Sequence, residues 1–211
     1  NFTTLGWIRV QGTNIDYPVI YVTGNADISR ITDDFTWVMN DVDKITNYVY
    51  IIGHNIRNVS SNPLITDKSH TRFEQLPSFM YLSFAKDNKY IQYTVDGKDY
   101  LYKIFSVSMA KHDELSYATE DLSKTELKKY ISKSLKDSFY DYDVDVDEND
   151  KILTLSTCTR FYGATNKYVF KIDARMVRDK ENVKNYSIKG NQNYKAIKEI
   201  MEGGEKNEEK I

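Results

Sequence analysis

Short alternations of apolar and polar residues fill the first half of the chain, as in Gly6-Trp7-Ile8-Arg9-Val10 and Tyr17-Pro18-Val19-Ile20-Tyr21, each followed by a Gly/Asn-containing cluster at 12–14 and 23–25. A period of two with β-branched and aromatic side chains predicts strands joined by turns. Tyr48 to Ile52 is instead an unbroken apolar run stopped by Gly53. That pattern predicts a strand covered on both faces, with His54 just past its end. Residues 56–72 are polar and irregular, and Phe73, Leu76, Phe79 and Met80 then recur at roughly helical spacing, which predicts a loop followed by one or two short helices.

The second half is more strongly marked. Tyr90–Val95 and Tyr100–Phe105 flank Asp96-Gly97, a pair suited to the positive φ angles of a tight hairpin turn. Ser123 and Glu126 form a capping-box pair, and Leu127, Ile131 and Leu135 recur at i, i+4, so a helix is expected over about 124–138 with a Lys-rich outer face. Ile152–Cys158 reads as a strand ending on the cysteine, and Tyr168–Ile172 as another after a loop containing Gly163. Beyond Val177 the chain turns polar. Tyr194, Ile197 and Met201 predict a short surface helix over 192–202, and the last eight residues are expected to be disordered. The domain boundary is therefore drawn at 1–178 for the main unit and 179–211 for a polar C-terminal extension.

Composition narrows what such a chain does. Its 211 residues are 40% hydrophobic, enough for a full core, and the net charge of −2 supplies no basic excess to hold a nucleic acid. No run of about 18 apolar residues is present to span a bilayer. The chain begins at Asn1 rather than Met, so any anchor or targeting segment is expected upstream of it. A single cysteine, Cys158, rules out an internal disulfide. One Cys and three scattered His offer no close ligand pair for zinc, and neither a Gly-rich phosphate loop nor a Gly-x-Ser-x-Gly elbow occurs.

A lone thiol is either a small buried hydrophobe or a nucleophile whose neighbours favour the thiolate. His70 lies in a polar loop and His112 in a Lys-His-Asp turn, where exposure is expected; His54 alone follows a buried strand. His54 and Cys158 each terminate a strand, a common way to present catalytic groups on a rigid frame.

Three segments in order resemble class B sortases: Leu5-Gly6-Trp7-Ile8 with Gly12–Val19, then Ile52-Gly53-His54-Asn55, then Thr154-Leu155-Ser156-Thr157-Cys158. The similarity covers about residues 5–178. It implies a mainly β fold, a closed eight-stranded barrel with N-terminal and inter-strand helices, anchored through an N-terminal segment to the extracellular face of the cell membrane. It further implies a cysteine transpeptidase without cofactor or metal. Cys158 would form a thioester at a Thr-Gly-type bond of a sorting-signal peptide, His54 would protonate the leaving amine, and an amine acceptor of a peptidoglycan precursor or pilin would resolve the thioester. The resemblance also calls for an Arg at the start of the strand after the cysteine. That register holds Lys167 here; Arg160, two residues past Cys158, is the other candidate, and Arg175 lies too far along its strand. Asn55 is expected to buttress the histidine loop, Asp41 to orient His54, and Ser156 and Thr157 to be strand residues rather than nucleophiles.

Two rival readings stay open at this level. Cys158-Thr159-Arg160 is similar to the Cys-x-Arg of L,D-transpeptidases, although their Gly before the cysteine is Thr157 here. A catalytically silent sortase-like peptide-binding module is the other, motivated by Lys167 at the Arg register.

Overall fold

A computed structural model describes residues 2–22, 36–38, 45–55, 69–112, 121–163, 167–183 and 185–203. Among the described residues there are ten strands: β1 Phe2–Val10, β2 Asp16–Val22, β3 Thr36–Val38, β4 Tyr48–Gly53, β5 Tyr90–Val95, β6 Lys98–Lys111, β7 Tyr140–Tyr142, β8 Ile152–Cys158, β9 Tyr168–Met176 and β10 Ile188–Gly190. Eight of them close a barrel in the order β1-β2-β3-β4-β8-β9-β6-β5, with β5 returning to β1, and β7 and β10 form a separate two-stranded sheet. The barrel is mostly antiparallel, but β2–β3 and β4–β8 are parallel.

The expected closed eight-stranded barrel is thus the observed one. Within the described residues the chain opens on β1, whose residues Gly6 to Arg9 pair with β2 on one side and β5 on the other. Strand pairing on both sides commits that backbone to the sheet and leaves no helical option.

The unbroken apolar run of β4 has a simple cause. Val49 and Ile51 point into the barrel core, whereas Tyr48 and Tyr50 point outward into a second cluster with Leu127 and Ile131. Those last two come from α2, Lys124–Asp137, which lies over the outside of the barrel. The capping box at its start is formed, with Glu126 N–H donating to Ser123 Oγ and Glu126 Oε2 accepting from Ser123 N–H. Under α2 the buried Asp173 accepts from Thr154 and Tyr130 at 2.7 and 2.6 Å and pairs with Lys171 at 3.0 Å. These partners are what make buried charge tolerable there.

The Asp96-Gly97 hairpin is present, with both residues at positive φ. The short helices expected after residue 72 are a 3-10 turn at Leu76–Met80 and α1, Leu82–Asp87.

Past residue 178 the chain returns to the barrel. Tyr186, Ile188, Ile197 and Ile200 join the main core, the last two from α3, Gln192–Met201. Tyr186 donates its hydroxyl proton to the Lys89 carbonyl at 2.6 Å. Arg175, only 1% exposed, is gripped by both carboxylate oxygens of Glu181 at 2.6 and 2.8 Å. The expected disorder of the last eight residues falls at 204–211, outside the described residues.

Candidate active site

The parallel pairing of β4 and β8 places Ile52 opposite Ser156. Two residues further along both strands, the same register brings His54 and Cys158 to one end of the barrel. Two hydrogen bonds fasten that end. Thr157 Oγ1 donates to the Gly53 carbonyl at 2.6 Å, and Asn55 Nδ2 donates to the Cys158 carbonyl at 3.0 Å. Thr157 is buried and so engaged, so it is no nucleophile, and Ser156 is buried beside it. Asn55, the residue directly after His54, thereby ties the histidine's segment to the cysteine's own backbone.

On the other flank Cys158 pairs with Val169 of β9. Lys167 sits two residues before Val169, exposed at the strand mouth, with its carbonyl accepting from the His112 N–H at 2.7 Å. Arg160 follows Cys158 by two residues and is exposed. Its backbone is fixed by a tight turn: Gly163 N–H donates to the Arg160 carbonyl at 2.9 Å, and Phe161 N–H to Thr159 Oγ1 at 3.2 Å, while Phe161 and Tyr162 are buried in the core. Anchoring of Thr159 and Phe161 on either side holds Arg160 at the surface. Both expected cations therefore flank Cys158, and Arg175 does not. It lies at the far end of β9, opposite Ile152.

Cys158 is solvent-accessible, yet the surrounding protein pushes its thiol above the ordinary value by desolvation, and the Arg160 charge partly offsets that rise. A thiolate is consequently the minor form at neutral pH. The two other histidines divide. His112 is exposed as expected, but His70 is buried, 3% exposed, a correction to the expectation drawn from its polar neighbours. Its segment is tied into the fold by long-range bonds: Asn14 Nδ2 donates to the His70 carbonyl at 3.2 Å and Asn14 N–H to Gln75 Oε1 at 2.6 Å. Asp41, the expected partner of His54, lies outside the described residues. No cluster of three metal-ligating side chains occurs among the described residues.

One contact at this end had no herald in the pattern of the chain. Phe73 N–H donates to the His54 carbonyl at 3.0 Å, and its ring packs directly on Gly53. A glycine immediately before the histidine was the only available sign.

A barrel that sets a strand-end cysteine beside a strand-end histidine defines a class, and comparison with known proteins agrees. The model of the sortase domain matches residues 8–177. The chain belongs to the sortase family of transpeptidases, and within it to class B. Among curated relatives it is 22% identical to sortase B of Staphylococcus aureus over 178 residues, and 26% identical to sortase B of Listeria monocytogenes over 170 residues. Those alignments cover 80% and 75% of this chain but 68% and 63% of the relatives. Among solved structures, Clostridium perfringens sortase B superposes with a TM-score of 0.67 at 26% identity, covering 82% of this chain and 93% of that one.

Proposed function

We propose that this sortase works by cysteine catalysis at the β4/β8 end of the barrel. The Cys158 thiolate attacks the carbonyl carbon of a Thr-Gly-type bond in a sorting signal; the C–S bond forms, the C–N bond breaks, and His54 gives its proton to the departing amine. An amine of a cell-wall precursor or of a pilin then attacks the thioester, forming a new amide and returning the thiol. No oxidant or nucleotide is consumed. Lys167 and Arg160 supply positive charge where the carbonyl oxygen becomes negative. Lys167 brings a point charge where Arg would bring a planar fork, so substrate orientation rests on other contacts as well. The site of action is the extracellular face of the membrane, with an anchor lying outside this chain.

The observation that carries this reading is the parallel β4–β8 register, which brings His54 and Cys158 together from distant parts of the sequence. The test is intact-protein mass spectrometry with Asn-Pro-x-Thr-Gly and Ser-Pro-x-Thr-Gly peptides. The expected result is an acyl adduct on Cys158 that an added amine discharges and that Cys158→Ala abolishes. Peptide binding without any adduct would favour the silent module instead, and adducts only with peptidoglycan stem peptides would favour the L,D-transpeptidase reading.

A further inference from the structure

The segment 69–75 belongs to neither strand of the site, yet it touches the histidine's backbone directly. Phe73 is wholly buried, its N–H holds the His54 carbonyl at 3.0 Å, and its ring fills the space that a β-carbon on Gly53 would occupy. Gly53 is thus required by close approach, not by backbone conformation. The residue before Phe73, Arg72, is in the left-handed region with φ 58° and gives its N–H to the Tyr17 hydroxyl at 2.9 Å. Thr71 N–H is held by the buried carboxylate of Glu74 at 3.1 Å, and the turn between β1 and β2 is latched to the same segment through Asn14, Gln75 and the His70 carbonyl. Residues 53–55 are therefore gripped from two sides. β8 holds the Gly53 carbonyl and offers the Cys158 carbonyl to Asn55; the Phe73 segment holds the His54 carbonyl between those two points.

A backbone held at three successive residues leaves His54 little freedom except rotation of its side chain. We propose that Phe73 is a positioning residue for His54: its ring and N–H, braced on β2 through Tyr17 and on the β1–β2 turn through Asn14, set the height of the imidazole relative to Cys158. The proposal rests on the reading of His54 as the acid for the leaving amine. A displacement of about 1 Å at such a group lowers rates by about a hundredfold, whereas a thiolate alone suffices when the leaving group needs no proton.

That difference supplies the test. Acylation of the full chain is followed with two substrates sharing one acyl part: the sorting peptide, whose amine leaves only with a proton, and its nitrophenyl ester, whose phenolate leaves without one. Gly53→Ala forces the Phe73 ring away and is expected to slow acylation by the peptide at least about tenfold while the ester rate changes by less than about twofold. Tyr17→Phe removes only the hydroxyl that holds the Arg72 N–H and tests the brace if Gly53→Ala does not fold; a smaller loss, about threefold, is expected on the peptide only. Equal losses on both substrates, or no loss on either, would overturn the positioning role. His54→Ala is the control: if it acylates with the peptide as fast as the unaltered chain, the reading of His54 as acid fails, and that outcome is distinguishable from failure of the Phe73 proposal alone.

Discussion

At its C-terminal end β9 buries Arg175 against Glu181 and Asp145, and Arg178 just beyond it spans Asp145 and Asp150. At its N-terminal end the same strand begins beside Lys167, which is exposed, as is Arg160 across from it. The buried Arg175 guanidinium thus holds the C-terminal segment to the barrel, and Lys167 and Arg160 at the other end remain at the surface. Charge that is buried and fully matched specifies structure; charge at a solvent-facing rim can still meet a substrate.

Several measurements would break or sharpen this contrast. The largest effect is expected from the rim: removing both cations, Lys167→Ala with Arg160→Ala, should lower the acylation rate about a hundredfold or more. Thermal stability should scarcely change, because both side chains are exposed, and a large drop in Tm would erase the distinction. The buried end should answer in the opposite way. Glu181→Ala leaves Arg175 buried without its main partner and is expected to cost about 3 kcal/mol in denaturant unfolding. Acylation below the new midpoint should persist.

Acid provides a finer probe of the same end. The Arg175 guanidinium hydrogen-bonded to Glu181, with help from Lys103, holds that carboxyl far below its usual range. Its contribution to stability is then complete above about pH 4.3, the ordinary carboxylate value, and is lost progressively as pH falls toward the lowered folded value. Tm measured from pH 7 down to 3 should decline, and Glu181→Gln should flatten that decline. The smallest effect is expected from Arg160→Ala alone. Burial already raises the Cys158 thiol and Arg160 opposes it, so the substitution should slow iodoacetamide alkylation at pH 8 by about two- to threefold. The rate of the unaltered chain should keep climbing as pH passes the ordinary thiol value.

Features whose cause is local were legible in the chain itself. The α2 helix carries its capping pair and apolar spacing within one segment, and the β5–β6 hairpin carries its turn. The three-residue strands β3, β7 and β10 were not legible, because three residues are too few to show a period and their pairing partners lie elsewhere in the chain. His70 differs from expectation for a related reason: its polar neighbours suggest water, but its segment is fastened to the Asn14 turn, 56 residues away. At the site, Cys158 and His54 stood out by residue type and strand-end position. The Phe73 grip and the Arg175–Glu181 clasp depend on packing between segments, which no local pattern encodes.

The parallel seam between β4 and β8 also bears on how the molecule comes into being. The bonds that join Gly53 to Thr157 and Asn55 to Cys158 span 104 and 103 positions of chain. Contacts of such separation demand closure of a long loop and form slowly relative to hairpins such as β5–β6. During folding Cys158 therefore exists first without His54 beside it, the residue that the proposed mechanism makes its acid. Reactivity toward amides is expected to appear only when the last long-range pairing is made, so that recovery of acylation after dilution from denaturant should lag behind recovery of secondary structure.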